Sequence, residues 1–576
     1  MFCKNCGTQV PDGTKFCPEC GAELTSPADN DAGQISGTIQ TETIQKTPKR
    51  KFSLKWALLI VAVLCVGTAA LAAPKIIHKI KVASMSPEEY YRYVEKNNLN
   101  AHLDALLSGY DMSLEQMKKD TYGAHQTMKL DLSDTAKSLL SATGVDFTNL
   151  KTIEIALDSS MNKDKIGYKA ALMSEDEQLI AANVIMDGKA GDMYIQIPEF
   201  SESYIRIPSD QLSESSDSSD VSKSIKTMTD LGDKMPSRKE INEITDLCID
   251  TALNDLTNIK EEKDANVSAE GIDEKTTNYV ITLNQKDAQK CVKDVAGKLK
   301  DNKTLKDVIT RFDEEAYTSF TEAVDDLNSD SDNDTSENAE SLRMTVSIND
   351  SDTIIGRNIE ALDADGNVTV GLSYYIPSDK NKFGFNFTIN NKSEKIAEVK
   401  GTGNIKSDVL NADLSVVSDK AVEALGNSDK GNELAKIKIE DYDYSKSDKA
   451  KSSGKFTVSA SNIIPQINGY SLIYEFDVDG LSSNQKIHVM AGKDKFASLT
   501  LDSKSSTDYK AEIPGDSDKV IDSTDSDGMA SYADMTKVQS VLSNMFTKLG
   551  LDSSVIDSLF GMSMGGSSDS FDDSNS

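Results

Sequence analysis

The sequence predicts a multidomain chain: a small cysteine-held metal module, one transmembrane helix, and a large α+β extracytoplasmic region with two curved antiparallel β-sheets packed on helices. Three observations predict it: a doubled C-x-x-C-G at the amino terminus, an uncharged run over residues 56–73, and two tracts of period-two alternation separated by helical periodicity. The 576 residues allow roughly three to five folding units. With 94 acidic and 62 basic side chains the net charge is -32. Residues 1–82 are nonetheless basic, with a balance of +4. An acidic bulk repels phosphate backbones, which excludes nucleic acid as its partner. Only 7 cysteines and 4 histidines are present, too few ligands for a large metalloenzyme.

The amino terminus reads Cys3-Lys-Asn-Cys6-Gly7, then Cys17-Pro-Glu-Cys20-Gly21. Each turn places two thiolates on one side of a tight loop, and the following glycine suits the positive φ such turns use. Two facing turns supply four soft ligands in a tetrahedron, the arrangement of structural Zn²⁺. So short a segment buries no useful core, so metal binding would supply its folding energy. Disulfides are disfavoured by the doubled, closely spaced motif, whereas iron could take the same ligands. Met1 to Leu24 resembles the short zinc ribbon at the front of many bacterial membrane proteins. No ligand position is left open for water, and Lys4 and Lys15 are balanced by Asp12, Glu19 and Glu23. The expected role is structural, with a cytoplasmic protein as partner.

Residues 25–55 read as a flexible basic linker. Trp56 to Ala73 follows as 18 residues without a charge, ended by Pro74. As a helix this spans ~27 Å, enough for a hydrocarbon core. Trp56 and Lys55 stand where interfacial anchors belong, and the preceding leader is too long for a signal peptide. Five lysines and arginines before the run against three after it place the amino terminus inside. Zinc-holding thiolates also want a reducing compartment. The expectation is a single-pass cell-membrane protein with residues 75–576 outside.

Ser86-Pro87-Glu88-Glu89 starts a helix, with a hydroxyl cap, proline in the first turn and acids at the positive dipole end. It anchors an expected juxtamembrane element over residues 84–112. Alternation then sets in: Met128, Leu130 and Leu132, next Ile153, Ile155 and Leu157, and further strands over Lys165–Met173, Leu179–Met186, Met193–Ile197 and Tyr204–Ile207. Short alternating segments mean half-buried antiparallel strands. Helical stripes follow, on Ile241, Ile244 and Cys248, on Ala288, Cys291, Val292, Val295 and Leu299, and over Leu305–Leu327. Such stripes need an apolar surface, most simply a sheet face. The first sheet with its helices is assigned to residues 120–328 and the second to residues 342–510. That second sheet includes Met344, Val346 and Ile348 and the strongly amphipathic Phe383, Phe385, Phe387 and Ile389. Lys165-Ile-Gly-Tyr168 and Lys382-Phe-Gly-Phe385 each lead into strand, turn and strand, which hints at duplication. Residues 511–576 form an acidic linker, a helix near Met535–Leu549 and a disordered tail.

Strand run, helix block, strand run resembles, in pattern, the half-barrel of bacterial lipoprotein carriers and lipid-binding lipoproteins, over residues 120–510. The layout as a whole is similar to envelope proteins of Gram-positive bacteria. The resemblance implies an apolar cavity for a lipid, amphiphile or cell-wall component. The alternative is an envelope scaffold with no small-molecule ligand. No enzyme is expected. His78, His102, His125 and His488 share no motif with a nucleophile. Ser-x-x-Lys at Ser452–Lys455 and Ser483–Lys486, like Ser331-Asp-Asn333, is expected by chance in a Ser- and Lys-rich chain. Asp330, Asp332 and Asp334 open like a Ca²⁺ loop but lack its glycine and its closing glutamate. Cys248 and Cys291 could form a disulfide; the other reading is two buried thiols on apolar helix faces.

Overall fold

The computed structural model describes residues 85–552 apart from 120, 143–144, 163, 213–229, 330–340, 393, 425–431, 447–448, 462–466, 516–517 and 533. The chain divides into two units, residues 1–53 and residues 54–576, and every described residue belongs to the second. The expected metal module, linker and membrane span lie outside the described residues, as do Asp330, Ser331, Asp332, Asn333 and Asp334.

Two helices, α1 (Pro87–Leu106) and α2 (Tyr110–Met117), lead into β1 (Thr121–Leu132). After α3 (Asp134–Ser141) come β2 (Ile153–Asn162), β3 (Lys165–Ser174), β4 (Glu177–Asp187), β5 (Met193–Gln196) and β6 (Tyr204–Ile207). The middle of the chain is α4 (Leu231–Lys234), α5 (Arg238–Asp255), the hairpin β7 (Lys260–Ala269) and β8 (Ile272–Asn284), then α6 (Gln285–Lys300), α7 (Lys303–Phe312) and α8 (Glu314–Ser329). The second strand run opens with β9 (Ser341–Asn349), β10 (Ile354–Leu362), β11 (Val368–Tyr375), β12 (Ser378–Asp379), β13 (Lys382–Asn391), β14 (Glu394–Lys406) and β15 (Val409–Val417). It continues through α9 (Asp419–Ala424) to β16 (Glu433–Lys446), β17 (Lys451–Ala460), β18 (Tyr470–Asp479), β19 (Ser482–Ala491) and β20 (Asp494–Ser505). β21 (Val520–Asp522), α10 (Ser526–Tyr532) and α11 (Met535–Lys548) close the described region.

These strands form one sheet, which corrects the expectation of two curved sheets packed on helices. Its order from edge to edge is β21-β6-β5-β4-β3-β2-β1-β20-β19-β18-β17-β16-β15-β14-β13-β11-β10-β9-β8-β7, with short β12 beside β11 on β13. All pairings are antiparallel except β21 with β6. The two runs are joined where β1 pairs with β20, from Ala124 opposite Ser505 to Leu132 opposite Ala497. An unpaired strand edge leaves a row of backbone donors and acceptors open, and this pairing satisfies two such edges at once. Periodicity reports which face a residue occupies and is silent on which strand lies alongside.

The single-pass placement is corrected as well. Among the described residues no helix is long and apolar enough to cross a membrane, so the assignment of an inside amino terminus and an outside remainder is withdrawn.

The helix α1 forms as its sequence requires. Ser86 Oγ accepts from the Glu89 N–H at 3.2 Å while Glu89 Oε2 accepts from the Ser86 N–H at 2.8 Å, a reciprocal capping box ahead of Pro87. One face of α1 then lays Tyr91 and Val94 on Tyr279 and Ile281 of β8, Val346 and Ile348 of β9 and Ile359 of β10, all of them buried. Fully burying a side chain of this size contributes about 1.5–3 kcal/mol. Inside that apolar core Arg357 of β10, fully buried, donates from Nη2 to Glu95 Oε1 at 2.7 Å and from Nε to the Tyr374 hydroxyl at 3.1 Å. The middle helices pack chiefly on one another: α5 lies on α6 and α7, and α8 on α6 and α7. The apolar stripes expected to seek a sheet face are thus largely satisfied by each other.

The paired Lys-x-Gly motifs take on a physical meaning. Each glycine is the third residue of its strand, β3 or β13, at a place where another segment crosses. A Cβ on Gly167 would lie 2.1 Å from the Ala511 Cβ, and one on Gly384 would lie 2.1 Å from the Ala269 carbonyl oxygen. Only a residue without a side chain permits that approach.

Candidate functional site

From β17 through β20 to β1 and β2, alternation puts the apolar residues of six neighbouring strands on one face. Their register aligns them in rows across the strands. Phe456 faces Tyr474, which faces Ile487, then Leu499, Leu130 and Ile153. A second row runs Val458, Leu472, Val489, Ala497 and Leu132. Directly opposed side chains of this kind are the unit of sheet stabilisation. Here, however, much of their surface remains open: Leu472 is 45% exposed, Met128 41%, and Val458 and Ile155 40% each. Isolated exposed apolar residues are ordinary, whereas a contiguous set marks an interaction surface. Leu139 and Leu140 of α3, the helix that packs on β1 and β20, are exposed as well.

The opposite face of the same strands is polar. His488 Nδ1 lies 2.9 Å from Ser498 Oγ, and both residues are buried. Burial, then the positive charge of Lys495, holds His488 below its ordinary value. Farther along this face a hollow of about 500 Å³ opens between His125, Asp477, Asp479, Asn484, Asp502 and Lys504 among others. His125 Nδ1 is 2.7 Å from Asp158 Oδ1 across the β1–β2 pair. Hydroxyls, carboxylates and a lysine line this hollow and suit it to small polar solutes.

The remaining sequence candidates scatter. Cys248 on α5 and Cys291 on α6 are free and partly buried. Burial raises both thiols, with Asp255 and Asp294 adding to the effect at Cys291, which is pushed up to about 11. Protonated thiols are poor nucleophiles and poor ligands. His102 on α1 is held below its ordinary value by burial and then by Arg357. Both Ser-x-x-Lys matches fall on strands, Ser452 and Lys455 on β17 and Ser483 and Lys486 on β19. A three-residue step along a strand sends the two side chains to opposite faces, so neither pair can act together. Among the described residues no group of three or more His, Cys, Asp or Glu could hold a metal ion.

Comparison with known proteins bears on the amino terminus. Residues 2–24 match the model of a zinc-ribbon domain, and Cys3, Cys6, Cys17 and Cys20 all fall within the match. The chain therefore begins with a zinc-ribbon domain, a module that usually binds zinc and whose four thiols are the donor set that ion prefers. No curated protein and no solved structure matches the chain.

Proposed function

We propose that this is a non-enzymatic binding protein whose sheet docks an apolar or amphiphilic partner on the open face of β17–β20, β1 and β2. Its ribbon holds structural Zn²⁺ on Cys3, Cys6, Cys17 and Cys20 and serves as a grip for a protein partner. The reading is carried by one observation: apolar side chains aligned across six strands, with Met128, Ile155, Val458 and Leu472 each about two-fifths exposed. Leaving that surface in water costs about 25 cal/mol per Å², so any apolar occupant is favoured there. The non-enzymatic part is supported by the separation of the serines and lysines onto opposite faces and by raised, unreactive thiols.

The test is titration of the full chain with the fluorescent fatty acid cis-parinaric acid. Saturable binding is expected, weakened at least about tenfold, or 1.4 kcal/mol, by Val458→Lys with Leu472→Lys. Fluorescence that never saturates would overturn the reading.

A further inference from the structure

On β13 and β14 the side chains opposite the phenylalanine face are polar. Asn386 and Thr388 lie one same-face step apart on β13, and Glu398 of β14 stands directly across from Thr388. Thr388 and Glu398 are both buried, Glu398 at 6% exposure. A carboxylate buried this deeply needs partners, and Glu398 has three. Its Oε1 accepts from Asn386 Nδ2 at 2.7 Å and from Lys395 Nζ at 2.8 Å. Lys400 Nζ stands 3.5 Å from its Oε2. Burial raises the Glu398 carboxyl, but the hydrogen bonds from Lys395 and Asn386 outweigh it and hold the group below its ordinary value.

An amine and a carboxamide thus share one oxygen. A carboxylate only accepts, so the Asn386 atom turned to Glu398 is its nitrogen, and its Oδ1 faces away. There Oδ1 accepts from the Thr388 hydroxyl at 2.8 Å. The amide therefore has its carbonyl polarised by a donor and its nitrogen held by a proton carrier, beside a primary amine. The Lys395 side chain is 50% exposed, which leaves it room to bring Nζ to the ~3–3.5 Å of a reacting pair. Lys96 and Asn100 on Asp246 lack these features: the contacts are 3.6 and 3.4 Å, and the carboxylate is 47% exposed.

We propose that Lys395 and Asn386 become joined by an isopeptide bond, with Glu398 carrying the proton. The Lys395 ammonium passes one proton to Glu398 and attacks Asn386 Cγ through Nζ. That proton moves on to Nδ2, and the Cγ–Nδ2 bond breaks with its electron pair on nitrogen. Ammonia leaves and takes up the second Nζ proton as an ammonium ion. An ammonium and a carboxamide become a secondary amide and an ammonium ion, with no oxidant or reductant. The product retains its partners: the carbonyl keeps the Thr388 hydroxyl, the remaining N–H keeps Glu398, and Lys400 stays as the counter-charge of the carboxylate.

Intact mass and a tryptic map of the full chain, held at about pH 9 to supply free amine, test this. The bond makes the chain about 17 Da lighter, by one ammonia. It also blocks cleavage at Lys395, so residues 383–392 are expected as a branched peptide with residues 393–400. Succinimide formation loses the same mass without a branch, so the branch is the deciding signal. Lys395→Arg, which keeps a cation beside Glu398 but no nucleophilic amine, is expected to abolish it. Glu398→Gln is expected to slow its formation at least about a hundredfold. Linear peptides alone from the parent chain overturn the proposal, as does a branch through Lys400 or an equal rate in Glu398→Gln. The parent chain decides even where Glu398→Gln fails to fold.

Discussion

The sheet carries the same alternating pattern at two places and gives it two different fates. On β8–β10 the apolar face is closed by α1, and Ile281, Val346 and Ile348 are cut off from water. On β17–β20 with β1 and β2, an equally regular face stays half open, as Leu472 and Met128 display. Local sequence is alike in the two regions; what differs is how much of the face a helix covers. Alternation thus specifies a side of the sheet, and a separate element decides whether that side becomes core or contact surface.

The largest effect should come from the closed region. Arg357→Ala strands Glu95 as an unpaired buried charge and is expected to cost about 3–5 kcal/mol in chemical denaturation. Glu95→Leu with Arg357→Met should recover most of that loss, since an apolar pair of similar volume replaces two desolvated charges. Next, Tyr91→Ala should cost about 3 kcal/mol, whereas Leu472→Ala on the open face should stay below about 1 kcal/mol. Equal costs at the two sites would break the comparison.

A smaller effect tests whether both halves of the sheet use the same crossing device. Gly167→Val and Gly384→Val are each expected to lower stability by about 1–3 kcal/mol, because the added carbon meets Ala511 or the backbone of Ala269. A loss at one site alone would end the parallel. The smallest effect concerns the helical block. Arg311 and the cap of α5 at Ser237 hold Glu240 at about 2, below its ordinary 4.5. A carboxylate lowered in the folded state contributes stability that is complete above about pH 4.5 and is lost as pH falls toward 2. Glu240→Gln should therefore flatten that part of an acid-denaturation profile and leave the neutral region nearly unchanged.

Much of this was legible in the residues. The zinc ribbon announces itself through four cysteines at fixed spacing, and α1 through Ser86, Pro87 and Glu89. Strands β3, β6, β13 and β18 fall close to where alternation puts them. β14 gave no such signal, because its inward places hold Gly401 and Gly403 where an apolar side chain would be expected. The Phe383 ring fills the room over Gly403, so close that a Cβ there would meet Cζ at 2.4 Å. Pairings between distant strands were illegible for a different reason. Nothing in Thr121–Leu132 or Asp494–Ser505 names the other, and the short parallel contact of β6 with β21 is equally silent. Of the candidate face, the membership of Met128, Ile155 and Leu472 could be read from alternation. Their exposure could not, since it depends on which helix arrives.

The junction of β1 with β20 has a consequence for how the molecule comes into being. Its two strands sit near opposite ends of the described region, so during synthesis β1 must wait, with one flank bare, until almost the entire domain has emerged. Among the strand pairings of the described residues, sealing that seam closes the longest loop, which makes it slow to form. A newborn chain therefore passes through a period in which one flank of β1 is open to pairing with another strand.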